Sequence, residues 1–483
     1  MTNNPVYPPP HLPKTKIVCT LGPSSDSEDT LRQLVRYGMS IARLNMSHGD
    51  ISIHRETVKR VRKVAREDGI PIGLMVDVPG AKYRTGPLSS GAENLDVGTK
   101  IVLSSEFFVG AKERVSVTPP GLHRDASVGG TILVDDGNIE LVAVEIQNDD
   151  VICEVVRGGR LTEGRGVVTP GKSPSQQFPD EKAMKCLEFA AEAKADFVAL
   201  STVTNGAHIS EARAILQASG MRFPVIISKV ERAEAIENID EIVEASDALM
   251  VARGDMGVEV PLKRVPVIQK DLIRRSNSAG KPVITATQML ESMVTSSSPT
   301  RAEVTDVANA VYDGSDAIML SGETSIGQFP VEAVKVMAET AVEAERALPY
   351  DTMMRERFLQ LQSVTDDVIS FAACQTSNEL SSDLIVAFTE SGSSAGRVSR
   401  YRPKAKILAL TPWENVQNRL TLYWGVFPVI VANVSDVDEF FTVGEIESKK
   451  VLGDDPNGTV VLVGGTPIGM PGSTNMLKVL TLS

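Results

Sequence analysis

The sequence predicts an α/β protein: a (β/α)8 TIM barrel with an inserted all-β lid domain and a C-terminal α/β open-sheet domain. Three observations carry that expectation. Eight short apolar runs, most of them followed by helical pattern, give the alternation of a parallel barrel. An interval of about 120 residues after the third run breaks the spacing and is rich in Val, Thr and Gly with period-two alternation. Beyond residue 346 strand and helix patterns alternate again.

The chain opens on a proline-rich arm, residues 1–13, read as a loose or docking tail. The apolar runs follow at 16–21 (KIVCTL), 41–45 (IARLN), 72–77 (IGLMVD), 196–201 (DFVALS), 225–229 (VIISK), Ala248–Ala252, 282–287 (PVITAT) and 317–321 (AIMLS). Amphipathic segments such as 28–37 and 210–219 lie between them. Many runs end in a polar residue: Asn45, Asp77, Ser201, Lys229, Thr287 and Ser321. A single polar end marks only a strand meeting solvent, but so many together favour a site, because parallel barrels build theirs at the carboxyl ends of the strands.

The barrel is assigned residues 14–87 and 174–345, and the insertion residues 88–173, with hinges near Pro87 and Pro170-Gly171. Turn signals at Asp136-Gly137 and 148–150 punctuate the insertion. A β domain on two linkers is placed to act as a lid. The third domain, 346–483, shows helical pattern at 368–377 and 396–401. Its strand pattern falls at 384–389, Lys406–Thr411, 426–432, Thr459–Gly464 and 476–482.

With 42% hydrophobic and 23% charged residues the chain reads as an ordinary globular protein, long enough for two or three domains. A formal charge of -13 repels nucleic acid and anionic membrane, although a cluster of cations or a metal can still admit an anionic substrate. The four cysteines are scattered, with no CxxC, which fits structural thiols in a reducing compartment. No apolar run reaches the length of a membrane span and no apolar leader opens the chain, so a cytoplasmic location is expected.

The chemistry concentrates between residues 224 and 260. Lys229 and Glu231, two apart, project to one side of an extended chain, and Arg253-Gly254-Asp255 ends the next strand. Glu231 and Asp255 are hard oxygen ligands for Mg2+ or Mn2+, and Lys229 is a compact cation for a phosphoryl or enolate oxygen. A bare K-x-E also reads as a surface ion pair, and the backbone N–H groups at Gly254-Asp255 serve a tight turn as readily as an anion. In the third domain FTESGSSAGR, residues 388–397, follows a strand and opens a helix. It offers hydroxyls and N–H groups to a phosphate, or is simply a capped turn.

IISKVERAEAI, MVARGDMGVEV, GKPVITATQMLESM, PTRAEVTDVANAVYDGSDAIMLSGET, TKIVCTLGPSS and ARLNMSHG together resemble the pyruvate kinase family, in order and spacing, from about residue 14 to the end. The resemblance implies phosphoryl transfer from phosphoenolpyruvate to ADP, followed by protonation of the enolate to pyruvate. It implies Glu231 and Asp255 on a divalent ion, with Lys229 and Arg43 on the transferring phosphoryl group and Gly254 in the substrate cradle. Thr287, with Ser321 and Glu323, would lie on the proton route. Thr287 also reads as the N-cap of a QMLESM helix.

Nucleotide contacts are implied at Asn45, His48, Arg84, Asp136 and Arg165, and an effector-phosphate loop at Thr389, Ser391, Gly392, Ser393 and Ser394. A sugar monophosphate or a nucleotide is the expected effector, and a homotetramer the expected assembly. The family's monovalent-cation residues match Asn45, Ser47, Asp77 and the Val78 carbonyl. This chain departs there, reading DVPGAKYRTG where many members read DTKGPEIRTG, so Lys82 replaces a glutamate and K+ is expected not to be required. It departs again at residues 201–204, STVT in place of SFVR. A barrel lyase or aldolase using the same ion, or a sensor that has lost catalysis, are the rival readings.

Overall fold

In a computed structural model, residues 11–172, 178–453, 458–468 and 473–482 are described. Most of the arm expected over 1–13, and the domain boundary expected at 173/174, therefore lie outside the described residues.

Eight parallel strands close into a barrel in chain order: Lys16–Thr20, Met39–Asn45, Gly73–Val78, Phe197–Leu200, Ile226–Val230, Ala248–Ala252, Val283–Ala286 and Ala317–Leu320. These are the eight apolar runs, with ends moved by no more than two residues. The strands Lys16–Thr20, Gly73–Val78, Ile226–Val230 and Ala248–Ala252 are buried at every position, which is why they read as unbroken apolar runs.

The chain divides into two compact units. The first comprises Met1–Asp77, Glu192–Val198 and Ile273–Ser483. In its part of the barrel Asn45 pairs opposite Asp77 and Arg43 opposite Met75. It also holds a five-stranded sheet in the order Val426–Ile430, Lys406–Thr411, Leu384–Phe388, Thr459–Gly464, Met476–Thr481. All neighbours are parallel except the last strand, which is antiparallel. Alternate residues feed two cores, Ile385, Ala387, Ile407 and Ala409 on one face and Leu384, Val386, Leu408 and Leu410 on the other. The helices Glu414–Leu420 and Val437–Leu452, which sequence pattern did not give, cover this sheet. Gly444 lets the second of them close on the sheet, since a Cβ there would stand 2.6 Å from Leu462.

The second unit comprises Val78–Ala191 and Ala199–Leu272. Its inserted domain is a closed barrel of seven strands, in the order Asp150–Arg157, Lys100–Ser104, Arg114–Thr118, Tyr83–Thr85, Gly166–Val168, Thr131–Val134, Ile139–Gln147. A two-stranded ribbon, Ala92–Leu95 with Gly159–Thr162, accompanies it. Tyr83–Thr85, which the sequence left with the first barrel before a hinge at Pro87, is a strand of this second barrel. It is too short to show a pattern, and it is anchored by the Tyr83 hydroxyl donating to Asp125 at 2.5 Å. The Asp136-Gly137 turn forms as read, with Asp135, Asp136 and Gly137 all left-handed.

All four cysteines are free and buried. Burial pushes the Cys153 thiol up to about 12 and Cys186 to about 11, so neither is a thiolate near neutrality. Among the described residues no helix is long and apolar enough to cross a membrane.

Candidate active site

Each unit carries a cluster at the carboxyl ends of its barrel strands. In the second unit Lys229, 8% exposed, donates to Ser201 Oγ at 2.7 Å and faces Glu231 Oε1 at 2.8 Å. Glu231 is 1% exposed, and its other oxygen accepts the Thr202 N–H at 2.9 Å. Beyond that ion pair, buried Oε1 has no partner among the described residues. Asp255 lies in the first turn of the helix Arg253–Glu259 and is paired with Lys82. Burial alone would raise its carboxyl, but Lys82, Lys229 and Arg232 outweigh burial and hold it below the ordinary aspartate value. Asp255 is therefore a carboxylate throughout the physiological range.

The backbone turn at Gly254 is the start of that helix. Arg232 forms a buried pair with Glu259 at 3.1 Å and donates to the Ala81 carbonyl at 3.3 Å, so it braces the turn that carries Lys82. Sequence reading missed both residues. They stand 27 apart with no periodic signal, and only the position of Arg232 next to Glu231 hinted at a role. Thr202, at the STVT departure, is left-handed with φ 54° and packs on Gly80, where a Cβ would stand 1.8 Å from its Oγ1. The Val78 carbonyl accepts the Ser201 N–H at 3.1 Å.

In the first unit Arg43, 6% exposed, is clamped by Asp77, with Nε donating to Oδ2 at 2.8 Å and Nη2 2.7 Å from the same oxygen. Its Nη1 donates to Thr20 Oγ1 at 2.6 Å. Asn45 Oδ1 accepts the Ser47 N–H at 3.1 Å, and His48 lies exposed just beyond.

Thr287 follows the strand Val283–Ala286, but the expected QMLESM helix with Thr287 as its cap does not form. Thr287 and Gln288 are left-handed, with φ 70° and 54°, and only a short 3-10 turn, Glu291–Val294, follows. Fully buried Glu323 explains the change. Its two oxygens accept the N–H groups of Leu290 at 3.0 Å and Ser321 at 2.7 Å, pinning the loop in place of a helical ladder. The Thr287 hydroxyl donates to the Ala286 carbonyl at 2.6 Å.

In the inserted barrel Arg84 donates to the Gly164 carbonyl at 2.7 Å. Arg165 pairs with Asp135 at 3.1 Å, while the neighbouring Asp136 is exposed. In the C-terminal sheet Thr389 Oγ1 accepts the Gly392 N–H at 2.8 Å, and Ser391 Oγ donates to Ser393 Oγ at 3.1 Å. Ser394 and Thr474 hydroxyls meet at 2.7 Å. The cavity beside this turn measures only about 40 Å³.

An eight-stranded parallel barrel with buried ammonium, guanidinium and carboxylate groups at its strand ends defines an enzyme for anionic substrates. Two family descriptions match, "Pyruvate kinase, barrel domain" over residues 12–334 and "Pyruvate kinase, alpha/beta domain" over residues 367–480. A pyruvate kinase of Geobacillus stearothermophilus is 43% identical over 97% of this chain and 80% of its own length. One of Clostridium perfringens is 39% identical over 97% of this chain and 99% of its own. A crystal structure of a pyruvate kinase from Cryptosporidium parvum superposes with a TM-score of 0.91 at 34% identity, over 98% of this chain and 97% of that one. The chain belongs to the pyruvate kinase family. Its reaction is the family's, phosphoryl transfer from phosphoenolpyruvate to ADP giving pyruvate and ATP, with a divalent metal ion required.

Proposed function

We propose that this glycolytic reaction is carried by Lys229, Glu231, Asp255, Arg43 and Thr287. The observation behind the assignment is Glu231 Oε1, a buried carboxylate oxygen that faces the Lys229 ammonium at 2.8 Å and, among the described residues, has no other partner. An oxygen so placed fits a hard cation. With Asp255 kept ionised it makes a two-carboxylate seat for Mg2+ or Mn2+, the remaining positions being left to water and substrate oxygens. When bound, the ion neutralises charge on the phosphoryl and enolate oxygens.

Lys229 meets the charge that develops on the transferring phosphoryl group, and Ser201 holds the ammonium in place. Arg43 presents a guanidinium whose orientation Asp77 and Thr20 fix in advance. A threonine is too weak an acid to protonate an enolate unaided, so Thr287, together with Ser321, passes a proton from water, and Glu323 acts by holding the loop. Gly254 admits the substrate carboxylate close to the backbone. Asn45, His48, Arg84, Asp136 and Arg165 serve the nucleotide, the inserted barrel acting as a lid.

The test is ATP formation from phosphoenolpyruvate and ADP with and without Mg2+. Lys229→Met should lower kcat by on the order of 10³-fold with little change in KM, since its charge acts mainly in the transition state. A loss confined to KM would refute the assignment. Turnover without ADP would favour the lyase reading.

Assembly as a homotetramer and a cytoplasmic location complete the proposal; light scattering giving a monomer mass would remove the first. The Thr389–Ser394 turn is assigned to an effector phosphate from a sugar monophosphate or a nucleotide. Trp413, whose Nε1 donates to Glu390 at 2.6 Å, reports on it. Such a ligand should change its fluorescence, and no response to either class would end the assignment.

A further inference from the structure

The central strand of the C-terminal sheet, Leu384–Phe388, and its neighbour Lys406–Thr411 have the proposed effector turn at their carboxyl ends. At their amino ends, where Leu384 pairs with Lys406, a separate cavity of about 510 Å³ opens. Small-molecule sites measure about 300–1,000 Å³. Three lysines line this one, Lys14, Lys404 and Lys406, together with Ser377, Ser381 and Ser382; the Ser382 hydroxyl is engaged with the Leu384 and Thr459 carbonyls. Among the described residues its one lining carboxylate is Asp383, which accepts the Thr459 N–H at 3.3 Å.

Lys14 is 9% exposed, and its ammonium is solvated by neutral oxygens, the Tyr350 hydroxyl at 2.9 Å and the Lys404 carbonyl. Behind it Lys16, 5% exposed, donates to the Val426 carbonyl at 2.5 Å. Buried Glu345 draws these charges together, yet its two oxygens accept the N–H groups of Lys14 and Thr15 at 2.9 and 2.6 Å. Positive charge is in excess. Burial, opposed by Glu345 and aided by the neighbouring lysines, brings Lys14 down to about 8. Burial likewise brings Lys16 to about 7 and Lys406 to about 8. An anion at the cavity would relieve that cost. The lysines bring compact ammonium charges, which bind phosphate as point charges.

We propose that this cavity is a second anion site, at the amino edge of the sheet, for the phosphomonoester of a small polar molecule. It does not depend on the active-site assignments. The test is amine-reactive labelling of the full chain, followed lysine by lysine by mass spectrometry. Three additions are compared: inorganic phosphate, glycerol phosphate, and sodium chloride at equal ionic strength.

At about ten times the dissociation constant mass action leaves about one site in eleven empty, so glycerol phosphate should cut labelling of Lys404 and Lys406 about tenfold. Exposed Lys112 and Lys185 should label as before. The Lys404→Glu chain, altered at an exposed position, should keep its kcat but lose protection at Lys406. Protection by inorganic phosphate at higher concentration agrees with the proposal. Equal labelling in all arms, equal protection by chloride, protection by inorganic phosphate alone, or protection that survives Lys404→Glu each overturns it.

Discussion

Lys82 places its ammonium on the Asp255 carboxylate, and Asp77 of the same DVPGAK segment is matched by the Arg43 guanidinium at 2.7–2.8 Å. Asp77, the acid of the expected monovalent site, and Asp255 each already have a fixed cation, and the Val78 carbonyl already accepts a hydrogen bond. Activity should therefore be unchanged whether K+, Na+ or tetramethylammonium is the only monovalent cation; strong activation by K+ would contradict this. Lys82→Glu replaces a positive neighbour of Asp255 with a negative one. It should lower kcat by on the order of 100-fold without K+, with part of the loss restored by K+. The same rate with and without K+ in that variant would show that Lys82 does not stand in for the cation.

At the scale of the element, the turn from Val78 to Lys82 is fixed by contact with Thr202. Any Cβ at Gly80 would stand 1.8 Å from Thr202 Oγ1 and 2.8 Å from the Ser201 carbonyl. Gly80→Ala must shift that turn and with it Lys82 and the Ser201 that holds Lys229. A shift of about 1 Å is worth on the order of 100-fold in rate. Gly80→Ala should lose that much in kcat, and Thr202→Gly in the same chain should recover only part of it, because the Ser201 carbonyl remains 2.8 Å from the added Cβ; an unchanged kcat in Gly80→Ala would mean that this contact does not set the turn. The strands were legible because burial on both faces writes an apolar run, and Lys229 and Glu231 because each ends or follows one. The loop at Thr287 was not, since its six following residues have helical composition and only the carboxylate of Glu323, 33 positions from Leu290, overrides them. The pairing of Lys82 with Asp255 spans 173 positions and leaves no periodic trace.

For the molecule as a whole, the C-terminal sheet of the first unit is held to that unit's barrel strands by a charge buried on both sides. Arg402, 3% exposed, pairs with Asp316 at 2.9 Å, donates to the Gly314 carbonyl at 2.8 Å and lies over Trp424. Burial lowers the arginine and raises the aspartate, so the pair stands in a poorly solvating place. Removing one partner strands the other: Arg402→Ala should cost about 3–5 kcal/mol, whereas replacing both residues with leucines should cost far less. The pH dependence separates this cause from lost packing. Without Arg402 the folded-state value of Asp316 rises further above its unfolded value, so the native state binds the extra proton. Stability of Arg402→Ala should then fall as pH rises above the ordinary aspartate value of about 4, and more steeply than in the parent chain. Urea midpoints across that range measure it, and parallel slopes for the two chains would mean that Arg402 holds the sheet by contact area and not by charge.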